Sequence, residues 1–161
     1  MKNLILIRHA KSSWDAPLKD SDRPLEYRGI KDAHLVASNS ISFLPKTFLI
    51  YTSPAKRATE TAMIFAQTIS YPIEDIIMQD RLYTFDGNQL EDFVKNLNNL
   101  NENVIIFGHN EAITNFVNKF GDVLIDNVTT SGFVSIKFES NNWNAISKGQ
   151  TVKIIFPKDL K

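Results

Sequence analysis

The chain has no cysteine among its 161 residues. Disulfide bonds, thiolate metal ligands and a cysteine nucleophile are therefore excluded. The formal net charge is zero, so nothing in the overall charge favours nucleic acid or an anionic membrane as a partner. No apolar run approaches the roughly 20 residues that a membrane-spanning helix needs. We therefore expect a cytoplasmic protein in which any anion-binding site depends on a local cluster of positive charge.

Apolar segments of strand and helix type alternate along most of the chain. Short apolar runs predict three buried strands, at 3–8, 48–53 and 104–109, and a weaker one at 76–78. Helical spacing predicts four helices, at 25–41, 55–69, 87–100 and 110–120. Strand propensity on both sides of a polar turn predicts an antiparallel pair, at 133–138 and 151–156. The pattern predicts one α/β domain over 1–161, a three-layer α/β/α sandwich with a mainly parallel central sheet and an antiparallel C-terminal strand pair.

Polar or charged residues come directly after each of the three predicted parallel strands. Arg8 and His9 end the first strand, Arg57 follows the second, and His109 ends the third. Because the carboxyl ends of such strands meet at one edge of the sheet, we expect these side chains to converge. The two arginines offer planar forks of donors that match phosphate oxygens. Ser53, which precedes a proline, is predicted to cap the second helix and to bring its backbone donors to the same place.

Two histidines among arginines favour phosphoryl transfer. A neutral His9 has one nucleophilic ring nitrogen, and His109, protonated when an anion is bound, can hydrogen-bond to phosphoryl oxygens. The set predicts a covalent phosphohistidine intermediate. His34 has no comparable neighbours and is predicted to be structural. No histidine or carboxylate lies at ligand spacing beside His9 or His109, so we expect neither a metal nor another cofactor.

These motifs resemble the histidine phosphatase superfamily, also called phosphoglycerate mutase-like. Residues 8–10 read Arg-His-Ala where the family has Arg-His-Gly, and residues 108–110 read Gly-His-Asn as in the family. Residues 53–62 match the family block Ser-Pro-x-x-Arg-Ala-x-x-Thr-Ala at every fixed position. The resemblance covers about residues 4–115. It implies that His9 is the nucleophile and that the phosphate pocket is formed by Arg8, Arg57 and His109.

The compact length and the stretch 12–29 are similar to the short phosphohistidine phosphatases of the SixA type. This similarity implies a substrate-binding place for Arg23, and we expect Ser12 and Asn110, which lie in the same motifs, to contact the substrate as well. Many members of the wider family carry a general-acid glutamate after the third strand. Here residues 81–86 read Arg-Leu-Tyr-Thr-Phe-Asp, with tyrosine or threonine where that carboxylate would stand.

The absence of the general-acid glutamate indicates which class of substrate the protein cleaves. An acid that protonates a departing alkoxide typically contributes ~10²–10⁴-fold, whereas imidazole can leave neutral without that help. We therefore expect a hydrolase that removes phosphate from phosphohistidine on a signalling or phosphotransfer protein, such as a histidine-containing phosphotransfer domain. Two alternatives stay open. One is a phosphatase for a small phosphate ester, with Asp15, Asp22 or Asp86 as the acid, and the other is a non-catalytic phosphate-binding module.

Overall fold

One six-stranded sheet forms the centre of the molecule. The computed structural model describes all 161 residues. The strands are β1 (Lys2–Arg8), β2 (Leu49–Thr52), β3 (Ile77–Met78), β4 (Asn103–Gly108), β5 (Phe133–Phe138) and β6 (Gln150–Ile155), in the order β3-β2-β4-β1-β5-β6. The first four pair in parallel, whereas β5 runs antiparallel to both β1 and β6. The predicted mainly parallel sheet with an antiparallel C-terminal pair is confirmed.

Four helices cover the two faces of this sheet: α1 (Tyr27–Ser40), α2 (Lys56–Thr68), α3 (Gly87–Lys95) and α4 (Ala112–Phe120). Side chains alternate between the faces of a strand. Leu4 and Leu6 of β1 accordingly join the core cluster under α3 and α4, while Ile5 and Ile7 join the cluster under α1 and α2. The three-layer α/β/α architecture is thereby confirmed. No helix of the structure has the length and apolar character needed to cross a bilayer.

Two segments differ from the predicted pattern for local reasons. The helix predicted over 87–100 ends at Lys95, since Asn96 donates from Nδ2 to the carbonyl of Asp92. Such asparagine bonds to the local backbone compete with the helical ladder. The predicted polar turn between the last two strands contains a fully buried Trp143, whose Nε1 donates to the carbonyl of Asn101. This anchor ties the C-terminal strand pair to the core.

Gly29 lets α1 approach the segment that follows β1. A Cβ atom at Gly29 would lie 2.2 Å from the carbonyl oxygen of Lys11, which is backbone and cannot swing away. The same carbonyl accepts a hydrogen bond from the amide of Glu26 at 3.0 Å. The close approach therefore fixes the path of the chain just after His9.

We expect Gly29→Ala to lower the free energy of unfolding by ~1–3 kcal/mol, because the added methyl group overpacks the contact with Lys11. Alanine in a helix interior would otherwise gain ~0.5–1 kcal/mol over glycine. Urea unfolding measures the difference, and Arg28→Ala, at the exposed neighbouring position, is the matched control and should stay within about 0.5 kcal/mol of the wild type. A Gly29→Ala variant as stable as the wild type, or more stable, would contradict the close approach.

Candidate active site

The carboxyl edge of the parallel strands brings the two strand-end histidines together. Arg8, the last residue of β1, is the register partner of Gly108, the last residue of β4. The amide of His9 then donates to the carbonyl of Gly108 at 3.0 Å. As a result the ring centroids of His9 and His109 lie 5.3 Å apart. Arg57, in the first turn of α2, is buried beside them.

His9 is held with one ring nitrogen free. Its Nδ1 lies 2.7 Å from the carbonyl oxygen of Ala10. Since a carbonyl only accepts hydrogen bonds, Nδ1 carries the proton and Nε2 keeps its lone pair. Burial, with smaller contributions from the charges of Arg57 and Arg8, lowers the pKa of His9 to about 4, although the bond to Ala10 acts in the opposite direction. His9 is therefore neutral near pH 7, which is the form that can attack phosphorus.

Ala10 also shows why the family glycine is dispensable here. Its φ angle is not positive, so its backbone conformation does not call for glycine. Its amide donates to Oγ1 of Thr61 in α2 at 2.9 Å, while its carbonyl holds His9. Both backbone polar groups of this buried residue are thus used to fix the chain just after His9.

Ser53 positions the second histidine. Its Oγ lies 2.8 Å from Nε2 of His109 and accepts a hydrogen bond from the amide of Ala55 at 3.2 Å. Burial, with smaller contributions from the neighbouring His9 and Arg57, lowers the pKa of His109 to about 3. His109 is therefore neutral while the pocket holds no anion. A bound phosphoryl dianion supplies the negative charge that favours its protonated form.

The prediction that Ser53 caps the second helix is wrong. The helix begins at Lys56, and the residue at its N-cap is Ala55, which makes no side-chain hydrogen bond. Ser53 instead extends the pairing of β2 with β4 by one hydrogen bond, because its amide donates to the carbonyl of Phe107 in β4 at 3.0 Å. That position is what brings its hydroxyl to His109.

Three buried polar atoms of the pocket have no hydrogen-bond partner in the protein: Nε of Arg8, Nε of Arg57 and Nδ1 of His109. Leaving such an atom unpaired costs ~1–3 kcal/mol, more for a charged group. An unpaired buried group in a folded protein is uncommon and often belongs to a functional site. The planar donors of arginine match the oxygens of a phosphoryl group. The arrangement can therefore bind a phosphoryl group beside Nε2 of His9.

Asp20 is the site residue that the sequence analysis missed. Its carboxylate accepts hydrogen bonds from Nη2 of Arg57 at 3.0 Å, from Nη1 of Arg23 at 3.1 Å and from the hydroxyl of Tyr83. Its backbone carbonyl accepts from Nη1 of Arg57 at 2.7 Å. Burial alone raises the pKa of Asp20, but the hydrogen bonds from Tyr83 and Arg57 outweigh it and lower the pKa to about 2. Asp20 is thus ionised near pH 7.

None of the aspartates named as substitute acids occupies this place. Asp15 and Asp22 are exposed, and Asp86 caps α3 by accepting from the amide of Asn88 at 2.9 Å. Thr84, one of the two residues that replace the family glutamate, is buried and donates to Gln89 at 2.5 Å. The other residue is Tyr83, whose ring stands against the pocket. No group of three or more histidine, aspartate or glutamate side chains is arranged to hold a metal ion.

Aromatic side chains form the rim of the pocket. The rings of Tyr83 and Phe85 lie 5.2 Å and 5.4 Å from the ring of His109, and Phe85 is 53% exposed. On another part of the rim, Cζ of Arg23 lies 3.2 Å from the centre of the Trp14 ring, which is 76% exposed. The mouth of the pocket thus presents rings to solvent.

The structure brings Arg23 and Ser12 to the pocket together. Nη2 of Arg23 donates to Oγ of Ser12 at 2.5 Å, and its Nε donates to the carbonyl of Ser13 at 3.2 Å. With the bond to Asp20, three of the five N–H donors of this guanidinium are engaged. The charge of Arg23 contributes to the lowered pKa of His9, and its ion pair with Asp20 links it to Arg57.

The side-chain amide of Asn110, which was predicted to contact the substrate, is hydrogen-bonded within the protein. Its Oδ1 accepts from the amide and the hydroxyl of Thr114, and its Nδ2 donates to Asn127 and to the carbonyl of Val128. All four hydrogen-bonding positions of the side-chain amide are therefore used. The carbonyl of Val128 also accepts from Nη1 of Arg8 at 3.0 Å. Asn110 thus holds the loop that orients Arg8.

The chain matches a known family over most of the segment that carries this site. The model of the histidine phosphatase superfamily (branch 1) matches residues 4–94, which include Arg8, His9 and Arg57. An uncharacterized chloroplastic protein of Arabidopsis thaliana is 49% identical over 63 residues, which make up 37% of this chain and 28% of that protein.

Solved structures share the fold over almost the whole chain. The structure of the protein histidine phosphatase SixA with tungstate is similar to this chain with a TM-score of 0.81 and 22% identity, over 99% of both chains. A mycobacterial glucosyl-3-phosphoglycerate phosphatase is similar with a TM-score of 0.66 and 11% identity, over 94% of this chain and 97% of its own. At these identities the similarity concerns the fold.

The buried histidines predict how stability depends on pH. Both have folded-state pKa values, about 4 for His9 and about 3 for His109, below the ordinary 6.5. The unfolded chain therefore binds protons more readily, and stability falls as the pH drops from about 6.5 towards 4. We expect His9→Gln to lose less stability over this interval than the wild type.

Urea unfolding at several pH values between about 4.5 and 7 measures this difference. The matched control is His34→Gln, since His34 is exposed on α1 and should leave the pH dependence unchanged. An equal loss of stability in His9→Gln and the wild type would show that His9 is not held neutral by its surroundings.

Proposed function

Because the chain belongs to the histidine phosphatase superfamily (branch 1), we propose that it removes phosphate from phosphohistidine on a partner protein, such as a phosphotransfer domain of the cytoplasm. Family membership supports a phosphatase; the class of substrate is our proposal. One observation carries it: the pocket joins a neutral histidine to phosphate-binding donors but has no carboxylic acid where the family carries its general-acid glutamate. Tyr83 and Thr84 stand there, and Asp20, the carboxylate that binds Arg57 and Arg23, is ionised.

His9 starts the reaction. The lone pair of Nε2 attacks phosphorus in line with the bond to the leaving group, while Arg8, Arg57 and His109 bind the equatorial oxygens. Their three unpaired nitrogen atoms are the groups that gain partners in this step. The proton on Nδ1 stays in its hydrogen bond to the carbonyl of Ala10, so that phospho-His9 is formed as an imidazolium. Water then attacks phosphorus, the electron pair of the N–P bond returns to Nε2, and phosphate leaves.

The leaving group is where the two substrate classes differ. An alkyl ester expels an alkoxide, which needs a proton from a positioned acid for efficient release. Phosphohistidine that is protonated on its second ring nitrogen expels a neutral imidazole and needs no such acid. The side chains that replace the family glutamate fit this difference, because Thr84 is bound to Gln89 and Tyr83 donates to Asp20. The pocket is therefore better matched to a nitrogen-bound phosphoryl group.

The rim supports a protein as the carrier of the phosphohistidine. Trp14 and Phe85 expose most of their rings beside the pocket, and aromatic side chains of this kind are enriched in protein interfaces. A histidine on a partner surface can reach His9 only if the mouth is open and the partner covers the rim. The exposed rings of Trp14 and Phe85 provide a surface that such a partner can cover.

The test compares substrates at equal concentration of the purified protein. We expect kcat/KM for a phosphohistidine-bearing phosphotransfer domain to exceed that for a sugar phosphate by at least a hundredfold, the lower end of what a general acid contributes to the cleavage of an alkyl ester. The third substrate is p-nitrophenyl phosphate, whose nitrophenolate leaves without a proton, so its rate reports on phosphoryl transfer without the need for an acid. Phosphate release, followed directly, is the measurement. His9→Ala shows how much release comes from other sources, and it should have no turnover on any of the three substrates.

Faster release from the small esters would contradict the proposed substrate class and would identify a metabolite phosphatase. Binding of the phosphorylated domain without release of phosphate would identify a phosphate-binding module instead. His34→Ala serves as the matched histidine control, because His34 is exposed on α1 far from the pocket residues in sequence and should retain wild-type rates.

A further inference from the structure

Asp20 lies at the mouth of the pocket, on the side from which a substrate enters. His9 and Arg57 are buried, whereas the side chain of Asp20 is 45% exposed. A phosphoryl group reaches His9 from solvent, and in-line attack leaves the departing group on the side opposite the nucleophile. The departing group therefore stays near the mouth, where Asp20 is the carboxylate bound to the pocket arginines.

The carboxylate of Asp20 retains capacity to accept a hydrogen bond. An ionised carboxylate has about four lone-pair positions on its two oxygens. Oδ2 receives two hydrogen bonds, from Arg57 and Tyr83, while Oδ1 receives one, from Arg23. One acceptor position on Oδ1 is therefore left for a group that enters the pocket. The three donors also fix the orientation of the carboxylate before any substrate binds.

We infer that Asp20 selects nitrogen-bound over oxygen-bound phosphoryl groups: its carboxylate accepts a hydrogen bond from the ring N–H of the departing imidazole. The inference rests on the proposed function and explains how the same site distinguishes its substrate class. Asp20 is then a specificity-determining residue that contacts the leaving group.

The transfer step balances without any added proton. The substrate imidazole carries the phosphoryl group on one ring nitrogen and a proton on the other, so its ring is positively charged. Nε2 of His9 forms the new N–P bond as the old one breaks, and the electron pair of the old bond stays on the departing ring nitrogen. The ring leaves as neutral imidazole with its original N–H still in place. A carboxylate that accepts from this N–H stabilises the protonated, reactive form of the substrate.

The attacking ring of His9 also has a hydrogen-bond acceptor for the N–H opposite its reacting nitrogen. The distal N–H of His9 donates to the carbonyl of Ala10 at 2.7 Å, and the distal N–H of the departing imidazole would donate to Asp20. Each ring thus has an acceptor for the proton that it keeps while phosphorus moves between them. Such a matched pair suits transfer between two imidazoles of similar basicity.

The carboxylate of Asp20 disfavours the leaving group of a phosphate ester. Its leaving oxygen develops negative charge, and an ionised carboxylate repels that charge. Asp20 has no proton to give near pH 7, because its hydrogen bonds hold its pKa at about 2. The residue that assists an imidazole therefore opposes an alkoxide.

The test uses two small substrates, so that docking of a partner protein plays no part. N-phosphoimidazole and phenyl phosphate differ in the atom that leaves. We expect Asp20→Asn to lower the ratio of their kcat/KM values by about ten- to a hundredfold, the loss expected for one hydrogen bond to a charged group. Asp22→Asn, an exposed neighbour without a hydrogen bond to the pocket, is the matched control and should keep the wild-type ratio.

A role for Asp20 in merely holding Arg57 would lower both rates equally and leave the ratio unchanged, and this result would overturn the inference. The proposed function would survive it, since wild-type turnover of the phosphotransfer domain is measured separately. Conversely, a changed ratio with no turnover of that domain would refute the protein substrate while keeping the leaving-group role. Wild-type preference for phenyl phosphate would overturn both.

Discussion

The concentration of buried positive charge at one edge of the sheet is the constraint on which the rest of the site depends. Arg8, Arg23 and Arg57 are all largely withdrawn from solvent, and uncompensated burial of charge is costly. The protein compensates part of it with the carboxylate and backbone carbonyl of Asp20 and with the carbonyl of Val128. The Nε atoms of Arg8 and Arg57 are left unpaired, and in the proposed reaction these two arginines bind the phosphoryl group.

The same positive surroundings explain the state of the histidines. Burial and neighbouring arginines lower the pKa values of His9 and His109, so that both rings are neutral in the free protein. In the reaction that we propose, neutral His9 is the nucleophile. The bound dianion favours the protonated form of His109, which then donates to the phosphoryl oxygens.

Much of the site was predictable because strand ends in a parallel sheet converge. Arg8, His9 and His109 follow apolar runs directly, and Arg57 belongs to a motif of fixed spacing. Asp20 was not predictable in the same way, since it lies in an exposed polar stretch among several aspartates. Its place is set by hydrogen bonds to Arg57 and Tyr83, which are distant in sequence. The only local signal was its spacing of three residues from Arg23, to which it is bound.

Ser53 and Asn110 show a second limit of sequence reasoning. Serine before proline has the composition of a helix cap, but the hydroxyl of Ser53 is recruited by His109 across the sheet. Asn110 stands beside a site histidine in sequence, yet its amide is used entirely within the protein. For both residues the three-dimensional partner, which the local sequence does not contain, decides what the side chain does.

A single-turnover experiment with phosphorus-labelled phosphotransfer domain, quenched on the millisecond scale, tests the covalent role of His9 most directly. We expect acid-labile, alkali-stable label to appear on the protein and then to decay as free phosphate rises, with mass spectrometry placing it on His9. Label on His109 or on any other residue, or complete turnover with no label on His9 at any time, would contradict a phosphohistidine intermediate at this position.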